Sequence, residues 1–169
     1  MLQNNMSKLE YRIGSSYDVH AFEEKENSFI VVGGQKINCN YKLIAHSDGD
    51  VVFHALSEAL LGSLALGDLG LHFPVNDHRY DNYDSSKILI YCYNLVKEKG
   101  YVINNIDISI ILESIKLKPY IESIRKNIAT ILQIDEDQIS IKAMTNEKLD
   151  DLGNNKGISS FATVLIKLK

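Results

Sequence analysis

Ala45-His-Ser-Asp-Gly-Asp-Val-Val-Phe-His54, continued by Ala55-Leu-Ser-Glu-Ala-Leu-Leu-Gly-Ser-Leu64, is the stretch from which the rest of the chain can be read. Its second half has the length and apolar spacing of a buried helix. Ser47, Asp50 and His54 stand at i, i+3 and i+7, which on a helix share one face. Val51, Ala55, Leu56, Ala59 and Leu60 form the opposite, apolar stripe. Ser47 or Asp48 is the expected N-cap. An Asp and a His opposite a buried stripe mark this as a site helix, one that must pack on a sheet to bury its other side.

Upstream, Asp18-Val-His20 sets two metal-capable side chains two residues apart, and on a strand such residues share a face. Asp18, His20 and His54 can close three corners of a tetrahedral zinc site, with the fourth open for substrate. An Asp-x-His pair by itself is commonly structural, and Asp50 with His54 at i, i+4 also reads as a helix-stabilising pair. The crowding of polar groups in His46-Ser-Asp-Gly-Asp favours a ligand, because such a cluster is costly to order without one. His46 is expected to touch substrate from a loop. His72 and His78 are read as structural.

Outward from there, Tyr11–His20 and Ser28–Val32 read as strands. Gly33-Gly34 is a two-residue hairpin signal, with Gln35–Asn38 as a short return. A polar segment then leads into the site helix. Gly67-Asp-Leu-Gly70 breaks the helical pattern, and Asp68 there is either a capped turn or a carboxylate for substrate hydroxyls, with Gly70 offering its N–H. Ser85 or Ser86 caps a second helix to Lys99, striped by Ile88, Cys92 and Leu95 and stopped by Gly100. Tyr101–Leu112 is a strand with Ile106, Ile108, Ile110 and Leu112 on one face. Pro119 opens a third helix striped by Ile121, Ile124, Ile128 and Ile131. Asp135-Glu-Asp137 is a solvated turn, Ile139–Thr145 a strand, 150–157 a Gly/Asn-rich loop and Ile158–Leu168 the closing strand.

These elements predict a single α+β domain over 11–169, a mixed β-sheet with helices packed on one face. The apolar groups left on the other sheet face predict burial against another subunit. The first ten residues show neither signal-peptide nor transit-peptide character and read as a disordered lead-in. The 169 residues carry a net charge of −4 with mixed signs, which predicts no broad nucleic-acid or membrane surface, and no apolar run is long enough to span a bilayer. Two scattered cysteines, Cys39 and Cys92, fit no zinc spacing and suit a reducing cytoplasm. Thr145 and Glu147 read either as a helix start or as a hydroxyl and carboxylate for a phosphate and a divalent ion. Lys116 and Lys118 are solvated lysines or phosphate ligands at a helix start.

Taken together, Arg12-Ile-Gly with Tyr17-Asp-Val-His20, Gly33-Gly34, Leu43-Ile-Ala-His-Ser-Asp-Gly-Asp50, Leu66-Gly-Asp-Leu-Gly70, His72-Phe-Pro74, Lys142-Ala with Thr145 and Glu147-Lys-Leu149, and Gly157-Ile158 resemble the 2-C-methyl-D-erythritol 2,4-cyclodiphosphate synthase family. The matches run in order over nearly all of the chain after residue 10. The resemblance implies a cytoplasmic enzyme of non-mevalonate isoprenoid biosynthesis. It would cyclise 4-diphosphocytidyl-2-C-methyl-D-erythritol 2-phosphate and release CMP. It further implies a homotrimer with active sites between subunits, Zn2+ on Asp18, His20 and His54, and Mg2+ (or Mn2+) on Glu147. His46 and Ser47 would contact substrate. Asp68 and Gly70 would hold the erythritol hydroxyls, with Phe73 and Asp77 beside them. Leu112–Lys118 would form the cytosine pocket with Lys116 near phosphate. Thr145 would meet the diphosphate, and Asp50 would orient a ligand histidine.

Three positions depart from the family pattern: Val75 replaces an Asp after Phe-Pro, Ser114-Ile-Lys116 replaces Ala-Pro-Lys, and Asn154 replaces an Arg lining the trimer's central cavity, so no isoprenoid diphosphate is expected there. Two other readings share the motifs, a metal-dependent phosphodiesterase on a similar scaffold and a non-catalytic trimeric binding module. The complete metal triad speaks against the second. The Ser114–Lys118 segment combined with Thr145 and Glu147 favours the synthase over the first.

Overall fold

The computed structural model describes residues 9–45, 47–74, 76–80 and 83–169. Among them ten α-helices and β-strands follow in order: β1 (Tyr11–Val32), β2 (Gln35–Ile44), α1 (Val51–Ser63), α2 (Leu69–His72), α3 (Ser85–Glu98), β3 (Tyr101–Ile111), α4 (Ile121–Leu132), β4 (Ile139–Met144), α5 (Asp150–Gly153) and β5 (Gly157–Leu168). The strands form one sheet in the order β2-β1-β5-β3-β4. All neighbours are antiparallel except β3 and β4, which α4 connects in parallel. The expected mixed sheet is therefore present, in a single α+β domain.

β1 is one strand where two were expected. Glu23 to Asn27 stays extended because Ala21–Glu24 pair with Tyr41–Ile44 of a longer β2, and a register shift between Glu24 and Ser28 absorbs the irregularity. The polar run is tolerated because residues 23–27 are exposed. Gly33 and Gly34 make the turn with φ of 56° and 74°, the paired left-handed conformation of a tight hairpin.

Along β1 the even-numbered residues of 12–20 face α1, and Tyr11, Ile13, Tyr17 and Val19 stand exposed on the opposite face. Gly14 lets the helix approach: a Cβ there would lie 1.9 Å from the Ala59 carbonyl oxygen. The Arg12 guanidinium donates to the Ser63 carbonyl at the C-terminal end of α1, the end a cation suits. α1 is buried nearly all round. Val51, Leu56, Leu60 and the rest of the expected stripe are in the core, and only His54, Glu58 and Gly62 reach solvent. The second helix is striped by Ile88, Leu89, Cys92, Tyr93 and Val96, so Leu95 lies at the edge of the stripe. Cys39 and Cys92 are both free thiols, and burial pushes the Cys92 thiol up to about 12.

Two expected caps are corrected. α1 begins at Val51, and its N-cap is Asp50. α3 is capped by Asp84, which accepts from the Ser86 N–H, not by Ser85 or Ser86. Asp50 is fully buried. Its carboxylate accepts from Gly33 N (2.9 Å), Gly34 N (2.6 Å), Val52 N (3.0 Å) and Phe53 N (3.2 Å). It thus caps the helix and clamps the hairpin turn together. From the other side, the Asn127 amide donates to the Gly33 carbonyl at 2.9 Å.

Asp50→Ala removes the cap and strands buried N–H groups, and is expected to cost about 3 kcal/mol in urea unfolding. Asp50→Asn, which keeps one acceptor oxygen, is expected to cost less. An Asp50→Ala variant as stable as the parent would contradict the clamp.

Candidate active site

The even face of β1 brings Asp18 and His20 up beside α1, whose first turn carries His54. His54 Nδ1 lies 3.0 Å from Asp18 Oδ2 and 3.2 Å from His20 Nε2, and His20 Nε2 lies 3.2 Å from the same carboxylate oxygen. One atom from each residue thus forms a small triangle. Ligands about 2.0–2.1 Å from a tetrahedral ion are separated by about 3.3 Å, so the triangle has the size of one face of a zinc tetrahedron. Two imidazoles and a carboxylate are also the donor set of an open, catalytic site. Among the described residues this is the one cluster of three or more such side chains placed to hold a metal.

The electrostatics follow from proximity. Burial alone would raise the Asp18 carboxyl, but hydrogen bonds and charge from His20 and His54 hold it far below the usual range. Burial alone would lower His54, and the Asp18 carboxylate, with smaller contributions from Asp50 and Asp48, raises it instead.

Beside the triangle is a cavity of about 210 Å3 lined by His20, Ser47, His54, Gly70, Phe73 and Asp77, together with Tyr80 and Tyr83. Four residues expected to touch substrate, Ser47, Gly70, Phe73 and Asp77, are therefore gathered at the metal ligands. Asp77 also pairs with Arg79 of its own loop, which holds its carboxyl down at about 2. Asp68 is not among the lining residues. It caps α2 and accepts from the Leu71 N–H at 3.0 Å, the capped-turn alternative. His46 and Val75 lie outside the described residues. Asp50 is corrected in role: its hydrogen bonds go to backbone N–H groups, so it acts on His54 through the helix it caps and through its charge, not by touching the imidazole.

Leu112, Lys116 and Thr145 line a different cavity, about 340 Å3, formed by the segment after β3 and the end of β4. Thr145 Oγ1 donates to Glu147 at 2.6 Å, and Glu147 is held at a φ of 51° that turns the chain there. The Glu113 carboxylate accepts from Asn146 N (3.2 Å), joining the two loops. Ser114, which stands where the family pattern has Pro nearby, donates to Asn155 Oδ1 (2.6 Å), and Asn155 donates to the Tyr41 hydroxyl (2.5 Å). Side-chain hydrogen bonds thus tether a segment that lacks proline.

The backbone register relates the two cavities. Val19 pairs with Ser159, Ser159 with Ile111, and Ile111 with Met144. The ligand-bearing part of β1 and the end of β4 therefore sit in one row across the sheet, three strand spacings or roughly 14 Å apart.

Two polar residues that motif reasoning passed over meet the triad. Ser85 Oγ lies 2.9 Å from His54 Nε2, and Asp48 accepts from both the Ser85 hydroxyl and the Ser85 N–H. Ser47 Oγ stands 3.1 Å from the same ring nitrogen. In the sequence Ser85 signals only a helix cap. Asp84, an equally good cap one residue earlier, takes that place and leaves the Ser85 hydroxyl available.

Residues 11–167 match the model of the YgbB family. A protein of Haemophilus ducreyi named 2-C-methyl-D-erythritol 2,4-cyclodiphosphate synthase is 50% identical over 158 residues, 94% of this chain and 98% of that protein. One of the same name from Acinetobacter baylyi is 48% identical over 94% of this chain and 96% of its own length. Among solved structures, an IspF–CDP complex from Plasmodium falciparum is 39% identical with a TM-score of 0.83, covering 95% of this chain and 97% of that one. The bifunctional IspDF of Campylobacter jejuni is 38% identical with a TM-score of 0.89 over 95% of this chain, which spans 43% of that longer protein.

The pKa directions predict a pH window for the chelator-stripped protein. The depressed Asp18 stabilises the fold above its unfolded value near 4, and this is lost as pH falls through the lower folded value. The raised His54 stabilises it below about 6.5, and this is lost as pH rises through the higher folded value. The stability difference between the parent and Asp18→Asn should therefore be widest between about pH 4 and 6.5 and shrink on either side. Urea unfolding across pH 3–9 measures it, and a difference independent of pH would contradict the assignment.

Proposed function

The chain belongs to the YgbB family, and from that premise we propose that it converts 4-diphosphocytidyl-2-C-methyl-D-erythritol 2-phosphate into 2-C-methyl-D-erythritol 2,4-cyclodiphosphate and CMP, in the non-mevalonate route to isoprenoids. The observation that carries this reading is the convergence of Asp18, His20 and His54 on one point beside a cavity. It is supported by relatives that carry the synthase name over nearly their whole length, and by a structural neighbour described as a CDP complex.

In this reaction an oxygen of the substrate's 2-phosphate attacks the β-phosphorus. A bond to phosphorus forms there as the bond to the bridging oxygen breaks, and CMP leaves with that oxygen. The nucleophile belongs to the substrate, so the protein needs no nucleophilic side chain. Its task is to bring two like-charged phosphates together and in line, the positioning and charge neutralisation general to phosphoryl transfer.

Asp18, His20 and His54 would hold Zn2+, and Glu147 would hold Mg2+ or Mn2+ with phosphate oxygens completing its shell. When bound, these cations polarise the phosphoryl oxygens and offset their charge. His46 and Ser47 would face the phosphate end of the substrate. Gly70 and Asp77 would meet the erythritol hydroxyls, and Phe73 would wall the cavity against water. Asp68 would contribute by fixing the turn that presents Gly70. Leu112–Lys118 would receive the cytosine through backbone groups, with Lys116 and Thr145 on the diphosphate.

The sheet face turned away from α1 carries exposed Ile13, Tyr17, Val19 and Phe161, with the Tyr17 and Phe161 rings 4.5 Å apart. At 67% exposure, Ile13 is an apolar side chain in a row of apolar side chains, a surface that favours burial against another chain. This supports a homotrimer packed through that face, with the metal triad of one copy facing the nucleotide cavity of its neighbour. Among the described residues no helix is long and apolar enough to cross a membrane.

Offered the diphosphocytidyl substrate with Zn2+ and Mg2+, the purified protein is expected to release CMP and a cyclic diphosphate. A linear hydrolysed product would instead establish a phosphodiesterase. His54→Ala should lose zinc and turnover while sedimentation still reports a trimer, and full zinc content with activity would overturn the metal assignment. Glu147→Gln should keep zinc yet lose its dependence on Mg2+, and an unchanged Mg2+ response would remove Glu147 from the mechanism.

A further inference from the structure

We propose that Ser85 and Asp48 are positioning residues that fix the tautomer and orientation of His54 and thereby set the affinity of the triad for its metal. The inference rests on the metal reading above and concerns two side chains that the cyclisation itself does not use.

The argument is an account of hydrogens. Ser85 is fully buried at the first position of α3. Its N–H donates to Asp48 Oδ2 at 3.1 Å, and its hydroxyl donates to Asp48 Oδ1. A carboxylate only accepts, and a serine hydroxyl has one hydrogen, so that hydrogen is committed to Asp48. Ser85 Oγ therefore presents a lone pair to His54 Nε2, 2.9 Å away. The imidazole must then carry its hydrogen on Nε2 and donate it. A ring whose Nε2 hydrogen is committed in this way has only its Nδ1 hydrogen to give up when a metal binds, and Nδ1 is the atom that faces Asp18 and His20. The chain His54 to Ser85 to Asp48 thus runs in one direction and leaves the ligand atom free to bind. Ser47 lies 3.1 Å from the same Nε2 and accepts from Gly49 N at 3.1 Å, so it can share the imidazole hydrogen without reversing the chain.

Three elements meet in this contact: His54 from α1, Ser85 from α3 and Asp48 from the loop before α1. The α1–α3 packing is thereby tied to ring orientation. An acceptor held behind a metal-bound histidine fixes its orientation and raises its basicity, and losing such a partner typically weakens metal binding about 10–100-fold.

The test is zinc affinity, measured by competition with a chromophoric chelator. Ser85→Ala should bind zinc about 10–100-fold more weakly than the parent, with unfolding temperature and the fluorescence of the folded state preserved. Asp48→Asn should weaken zinc in the same direction, and the double variant should lose less than the product of the two single effects, because both act through one chain. Nitrogen NMR of the zinc-loaded parent supplies a measurement that needs no variant: His54 should show zinc on Nδ1 and a proton on Nε2. Zinc on Nε2, or a Ser85→Ala protein that matches the parent's affinity, would overturn this proposal alone. A parent protein that takes up no zinc would overturn the metal reading and this proposal with it.

Discussion

A carboxylate without solvent contact is costly to bury, and Asp50 is one. Burial pushes its carboxyl upward, and the N–H groups of Gly34, Gly33 and Phe53 work against that shift. The arrangement persists because donors converge on it from two segments, the hairpin turn and the first turn of α1. Gly33 and Gly34 can aim their N–H groups inward only in the left-handed turn that glycine permits. The first turn of α1 supplies Val52 and Phe53 N–H groups that have no partner within the helix. α4 closes the junction through Asn127. His54 begins one turn beyond this clamp, and β1, which carries Asp18 and His20, ends in the turn that the clamp holds. The spacing of the metal triangle therefore depends on a residue that does not touch it.

The site shows a division between what backbone period sets and what tertiary contact sets. The two-residue period of β1 places Asp18 and His20 on the helix face, and Gly14 allows α1 close enough for His54 to join them. The second cavity is built from loops, and its order comes from side-chain bonds between them: Glu113 to Asn146, Ser114 to Asn155, Asn155 to Tyr41. Sheet register is what relates the two, through the row from Val19 to Met144.

Much of this was legible in the residues. The Asp18-x-His20 pair, the Gly33-Gly34 hairpin, the apolar face of α1 and the alternation of Ile106, Ile108 and Ile110 each follow from a local period. The unity of β1 was not legible, because residues 23–27 are held extended by pairing with β2 and not by their own propensity. Asp50 was assigned to the polar face of a helix that begins one residue later. Local spacing cannot show that its partners are a turn sixteen residues upstream. Ser85 and Asp48 are 37 residues apart and meet only because α3 packs on α1. No window of sequence contains both.

The length of β1 has a consequence for how such a chain can change. Alternation along a strand means that one residue inserted between Gly14 and Asp18 would turn Asp18 and His20 away from α1. The same insertion near Glu24 falls where pairing with β2 already slips register, in an exposed run of the strand. Insertions and deletions can therefore accumulate in that exposed run while the proximal half stays fixed in length, so that one continuous strand contains a segment free to vary and a segment closed to variation.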